Sequence, residues 1–111
     1  MNRWRIPEWL EAEVRARDTA CIYCGVPFRA TGQANRRTWP TWEHIVNDAR
    51  IVTRENIALC CGSCNASKGS KDLAAWLRSP YCRRRSIDAA TVAEVARQAL
   101  RHPPQVVNNR A

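Results

Sequence analysis

No stretch of this 111-residue chain is apolar for long enough to span a membrane. The basic start, Met1-Asn2-Arg3-Trp4-Arg5, is not followed by the apolar run of a signal peptide. A cytoplasmic setting is therefore the expectation, and there cysteine more often binds metal or does chemistry than forms disulfides. Internal repeats and low-complexity linkers are missing too. That favours one domain, 1–104 with a core at 21–70, and a flexible tail at 105–111. There is one phenylalanine and one methionine against five tryptophans and six cysteines. A chain of this size hides only a modest share of its surface, so it would gain from a covalent or metal staple.

Acidic residues are the minority: ten against eighteen basic, a formal charge of +8. Only Lys68 and Lys71 among the basic residues are lysine, and arginine is the better residue for bidentate phosphate contacts. Four thiolates on one Zn²⁺ would lower the charge by two and leave it strongly basic. A polyanion is a natural partner. A biased genome and plain solubility explain the same composition equally well, so charge by itself decides nothing.

Three helical stretches surround an irregular, cysteine-bearing middle. Ile6, Trp9, Leu10 and Val14 fall at helical spacing, with Pro7 suited to a first turn. Residues 21–56 read as loops and short strands, with 41–46 the best strand candidate. From Gly62 the pattern turns helical, and Leu73, Trp76 and Leu77 make an apolar stripe before Pro80. Val92, Val95, Ala96, Ala99 and Leu100 follow the spacing of a packed helix that Pro103-Pro104 stops.

Two C-x-x-C knuckles, Cys21-Ile22-Tyr23-Cys24 and Cys61-Gly62-Ser63-Cys64, stand 36 residues apart. Zinc takes four ligands in a tetrahedron, and two such turns supply four thiolates on backbone already bent to converge. A closed Cys₄ site has no open position for water, so the metal would be structural. A redox C-x-x-C would need a thioredoxin-like βαβ unit, which the pattern lacks. Cys60 competes with Cys61, but only Cys61 has the right spacing to Cys64. Cys82 reads as a plain thiol.

Between the knuckles lie Glu43-His44 on the strand candidate and Asn56 five residues before Cys61; Asn65 directly follows Cys64. Cys-x-x-Cys-Gly, Glu-His-Ile, Asn-Ile-Ala-Leu-Cys-Cys and Cys-Asn-Ala-Ser-Lys-Gly occur in the order seen in the HNH, or ββα-metal, nucleases. From Cys21 to about Lys68 the chain resembles that family, most of all its members with a four-cysteine zinc site, such as the phage recombination endonucleases. Each motif is weak; the ordered set is specific.

The resemblance implies a small zinc-stapled ββα-metal core; with the helices read from apolar spacing, the expectation is an α+β fold in which that core is flanked by an N-terminal helix and two C-terminal helices. It implies metal-dependent hydrolysis of DNA to 5′-phosphate and 3′-hydroxyl ends. His44 would be the general base, Glu43 and Asn65 ligands of a catalytic Mg²⁺ or Mn²⁺, Asn56 the residue tying the loop after the strand, and Cys21, Cys24, Cys61 and Cys64 the zinc ligands. Chemistry agrees. Imidazole can be free to accept a proton at cellular pH, and a hard ion suits one carboxylate, one amide oxygen and phosphate oxygens.

The chain departs from the family in having no proline after the histidine and no Gly-Gly before Asn56. Asp48 stands in the loop instead, and Glu43 replaces the commoner aspartate. Adjacent residues on a strand also point to opposite faces, so Glu43 and His44 need a strand edge to share one cleft. Taken singly, His44 reads better as a core histidine, and Asn65 as a cap or turn residue. Arg29, Arg36, Arg37, Arg50, Arg54, Lys68, Lys71, Arg83, Arg84 and Arg85 are the candidates for holding the nucleic-acid backbone. Trp39 and Trp42 could stack on bases, with packing the favoured role. A non-catalytic zinc-ribbon module binding DNA or protein is the rival reading. RNA as substrate and a homodimer through the helices after residue 70 stay open.

Overall fold

A computed structural model describes residues 2–29 and 35–106. Most of the expected tail, 107–111, lies outside them.

The fold is α+β. Helix α1 (Glu8–Arg17) leads through the first knuckle to strand β1 (Pro40–His44), which pairs antiparallel with β2 (Ile57–Cys61). Helix α2 (Gly62–Lys68) follows β2 without a linker, completing a ββα unit. Three short helices come next where two were expected: α3 (Leu73–Leu77), α4 (Pro80–Arg84) and α5 (Glu94–Arg101). The extra break comes at Ser79-Pro80. Proline disfavours helical backbone before it and suits a first turn, and the Ser79 hydroxyl caps α4 by accepting from the Cys82 N–H. Among the described residues no helix is long and apolar enough to cross a membrane.

All five residues of β2 are buried, because the strand is covered on both faces. Ile57 and Leu59 face Ile6, Leu10 and Val14 of the α1 segment. Ala58 and Cys60 face the larger cluster of Ile22, Tyr23, Trp76, Ala96 and their neighbours. A two-stranded sheet is marginal by itself; here packing on both sides supports it. Fully burying an aliphatic side chain such as Leu10 stabilises by about 1.5–3 kcal/mol.

The free edge of β2 is also satisfied. Leu59 N–H donates to the buried Asp18 carboxylate at 3.1 Å, Leu59 C=O accepts from Ile22 N–H at 3.3 Å, and Arg17 donates to Ile57 C=O at 2.8 Å. Unpaired edge groups would otherwise invite another strand.

Strand β1 stops at His44, two residues short of the expected 46. The Asn56 side chain intercepts the backbone there: its Oδ1 accepts from Val46 N–H at 2.7 Å, and its Nδ2 donates to Val46 C=O at 3.1 Å and Ile51 C=O at 3.0 Å. The chain therefore bends away at Ile45–Asn47.

Candidate metal centre and the concavity at the end of β1

Cys21, Cys24, Cys61 and Cys64 come together with all four Sγ atoms within 4.8 Å of one another. A tetrahedral zinc thiolate has Zn–S of about 2.3 Å, which sets sulfurs about 3.8 Å apart; Cys24 Sγ and Cys61 Sγ are 3.8 Å apart. The residues fit a structural zinc ion. The first knuckle turns at Gly25, whose φ of +78° suits glycine. In the second, Cys61 is the last residue of β2 and caps α2, its Sγ accepting from Cys64 N–H at 3.4 Å. Backbone N–H groups of Tyr23 and Cys24 point at Cys21 Sγ. Hydrogen bonding from Cys24 brings the Cys21 thiol down to about 7, hydrogen bonding with Cys21 drives Cys61 down, and Cys24 and Cys64 are pushed up. Cys60, opposite Thr41 in the sheet, faces the other way, with its Sγ 3.7 Å from Thr41 Oγ1. Strand alternation thus separates the two adjacent cysteines.

The end of β1 opens into a concavity of about 320 Å³ whose walls include Trp4, Glu43, His44 and Asn65. Glu43 is opposite Ala58, on the side of the larger cluster, and His44 is opposite Ile57, on the α1 side. Their faces differ as strand geometry requires, and they share the concavity because the strand ends there.

Glu43 is held firmly. The Tyr23 hydroxyl donates to its Oε2 at 2.6 Å, and Lys68 Nζ lies 3.1 Å from the same oxygen. Burial pushes the Glu43 carboxyl up, while Lys68 and then Tyr23 draw it back down. Burial also pushes the Tyr23 hydroxyl up, with the Glu43 charge adding to it. Lys68 is wholly buried, and its Nζ makes no well-directed hydrogen bond among the described residues.

His44 is half-buried, with its ring edge-on to Trp4 at 5.3 Å. Its Nε2 is shielded and has no hydrogen-bond partner among the described residues. Burial lowers its pKa and outweighs the nearby Asp48 carboxylate, which acts the other way. Asn65, on the first turns of α2, donates from Nδ2 to Thr41 Oγ1 at 2.9 Å and to Trp42 C=O at 3.1 Å. Both amide hydrogens are thereby used, and Oδ1 remains as the acceptor.

The basic candidates are scattered. Lys68 is a correction: buried against Glu43, it cannot lie on a phosphate-facing surface. Arg50 is committed to Asp48 at 2.8 Å and Arg54 to Glu13 at 2.9 Å, with Arg54 also over the Trp9 ring. Lys71 donates to Ser67 C=O. Arg36, Arg37, Arg83, Arg84 and Arg85 are exposed. Arg37, Arg84 and Arg85 share a hollow beside the cysteine cluster, away from His44. Trp42 packs as expected, half-buried under Arg15. Trp39 does not: it is 55% exposed.

Sequence reasoning missed Tyr23, Thr41, Arg3 and Trp4. Tyr23 stood inside a zinc knuckle and read as spacer. Arg3 and Trp4 precede α1 and reach the concavity only because Asn2 Oδ1 folds that segment, accepting from Trp4 and Ile6 N–H groups.

Comparison with known proteins gives one informative similarity. The chain is 30% identical over 97 residues to the CRISPR-associated endonuclease Cas9 of Corynebacterium diphtheriae. The match takes in 85% of this chain but 8% of that protein. No family model matches the chain, and no solved structure matches it.

Proposed function

We propose that the chain is a metal-dependent nucleic-acid endonuclease of the HNH type, with DNA as substrate. The observation that carries the reading is the meeting of Glu43, His44 and Asn65 around one solvent-open concavity, beside a four-cysteine cluster that suits structural zinc. The similarity to a protein named as an endonuclease supports it.

The donor set suits a hard divalent cation such as Mg²⁺ or Mn²⁺: one carboxylate, one amide oxygen, and room for water and phosphate oxygens. Glu43 and Asn65 would hold it. Bound there, such an ion supplies positive charge to the phosphoryl group and to the departing 3′-oxygen. Everything else falls to the chain's own side chains. His44, whose pKa burial lowers, accepts a proton from the water whose oxygen attacks phosphorus. Tyr23 and Lys68 fix the Glu43 carboxylate, and Thr41 fixes Asn65. Asn56 keeps the bend after His44 in one shape. Because Cys64 and Asn65 are adjacent on α2, the zinc-bound knuckle sets the helix, and the helix sets Asn65.

One observation favours the rival reading, a zinc-stapled binding module without catalysis. The buried Lys68–Glu43–Tyr23 cluster is what a purely structural carboxylate would look like. Metal rescue separates the two. Glu43→Ala and Asn65→Ala should lose plasmid cleavage in millimolar Mg²⁺ and regain part of it in excess Mn²⁺, whereas His44→Ala should not recover. No cleavage by zinc-loaded wild type in either ion would leave the binding module, and cleavage by all three variants at the wild-type rate would remove these residues from the mechanism.

A further inference from the structure

Among the described tryptophan, tyrosine and phenylalanine side chains, only Trp39 is both largely exposed and free of a covering arginine. Trp4 lies under Arg3, Trp9 under Arg54, Trp42 under Arg15 and Tyr81 under Arg85; Trp76 is buried. Trp39 has none of this and borders a concavity of about 630 Å³ with Arg36, Thr41 and Asn65. That volume falls within the range of about 300–1,000 Å³ common for small-ligand sites.

The wall opposite α2 is preorganised. Asn35 and Thr38 lock the turn between them: Asn35 Oδ1 accepts from Arg37 N–H at 2.9 Å, Thr38 Oγ1 from Asn35 N–H at 3.0 Å, and Asn35 C=O from Thr38 N–H at 2.9 Å. Arg36 C=O then accepts from Ser63 N–H at 3.2 Å, docking the turn on the start of α2. Gly62 makes the approach feasible, since a Cβ there would meet Arg36 Cγ at 3.0 Å and Arg36 O at 3.1 Å. Arg36 itself is exposed and has no acidic partner among the described residues. Asn65 lines this concavity and also the one at Glu43 and His44, so the two adjoin.

Building on the nuclease reading, we propose that this concavity is a subsite for one unpaired nucleotide next to the scissile phosphate, its base stacked on Trp39 and its phosphate on Arg36. The nucleotide must be unpaired, because a base stacked within a duplex has no face left for the indole. Base–aromatic stacking contributes about 1–3 kcal/mol per base and tolerates any base, which fits a site that offers one flat ring and one guanidinium. The chain would then favour single-stranded or locally opened nucleic acid over closed duplex.

The test is binding without added Mg²⁺ or Mn²⁺, on zinc-replete protein. A thymidine oligomer of about ten nucleotides, within the usual footprint of single-strand sites, and a blunt duplex of mixed sequence are titrated against intrinsic tryptophan fluorescence and anisotropy. The oligomer should quench wild-type fluorescence. Trp39→Ala should weaken its binding by about thirtyfold, the middle of the stacking range, and remove most of the quench. Trp39→Phe should keep more affinity than Trp39→Ala, and duplex affinity and zinc content should hold in both. Equal losses for single strand and duplex, or no loss, would overturn the subsite. A chain that binds the oligomer through Trp39 yet cuts nothing keeps the subsite and loses the nuclease. A chain that cuts, with Trp39→Ala binding as wild type, does the reverse.

Discussion

Three hydrogen bonds converge on the buried Asn56 side chain, so Asn56→Ala would strand the Val46 and Ile51 backbone groups that it serves. Leaving buried polar groups unpaired costs about 1–3 kcal/mol each. Urea unfolding of Asn56→Ala should show a loss of at least about 3 kcal/mol, with Asn56→Asp between it and wild type because one acceptor survives. Lys68 gives a second test at the same scale. Removing one member of a buried ion pair costs about 3–5 kcal/mol, whereas replacing both by neutral groups costs far less. Lys68→Met should therefore destabilise strongly, and the double variant Glu43→Gln/Lys68→Met should recover much of the loss; additive losses would mean the pair is not coupled. The spacing of Asn56 and Glu43 was legible in the sequence because their neighbours form ordered motifs. Lys68 was misread as surface because a lysine's burial depends on what folds over it. Tyr23 could be found only once the first knuckle was seen to pack against β1.

At the scale of elements, the four-cysteine cluster joins β2 and α2 to the knuckle that follows α1, and a zinc ion held there would tie them together. Metal binding at such a site is coupled to folding, so purified protein should hold one zinc per chain, and a strong chelator should melt it in circular dichroism. A folded, zinc-free preparation would count against the cluster as a metal site. Native alkylation gives an independent reading. Cys60 and Cys82 are not zinc ligands, yet both are wholly buried and burial pushes both thiols up. They should label slowly, and all six cysteines should label once zinc is chelated under denaturant. The helices with clear apolar spacing, α1 and α5, were readable from the sequence with ends displaced by a residue or two. The split of α3 from α4 was less so, since five-residue helices are shorter than any periodicity can register. The early end of β1 was hidden as well, because the Asn56 side chain, ten residues beyond the Val46 backbone groups that it binds, causes it.

For the whole molecule, the charge of +8 does not translate into one basic face. Two arginines expected to meet phosphate are engaged in surface pairs instead: Arg50 with Asp48, and Arg54 with Glu13 and over the Trp9 ring. The described candidates without an acidic partner include Arg29, Arg36 and Arg37, and Arg83, Arg84 and Arg85 at the end of α4. The four-cysteine cluster borders a hollow lined by Arg37, Arg84 and Arg85. The most direct measurement of the nuclease reading is incubation of supercoiled plasmid with purified protein and Mg²⁺, beside a His44→Ala variant with wild-type zinc content and the same melting curve. Wild type should nick or linearise the plasmid, and His44→Ala should be slower by at least about a hundredfold, the low end of what a general base contributes. Equal cutting by the two proteins, or no cutting by zinc-loaded wild type in either Mg²⁺ or Mn²⁺, would contradict it.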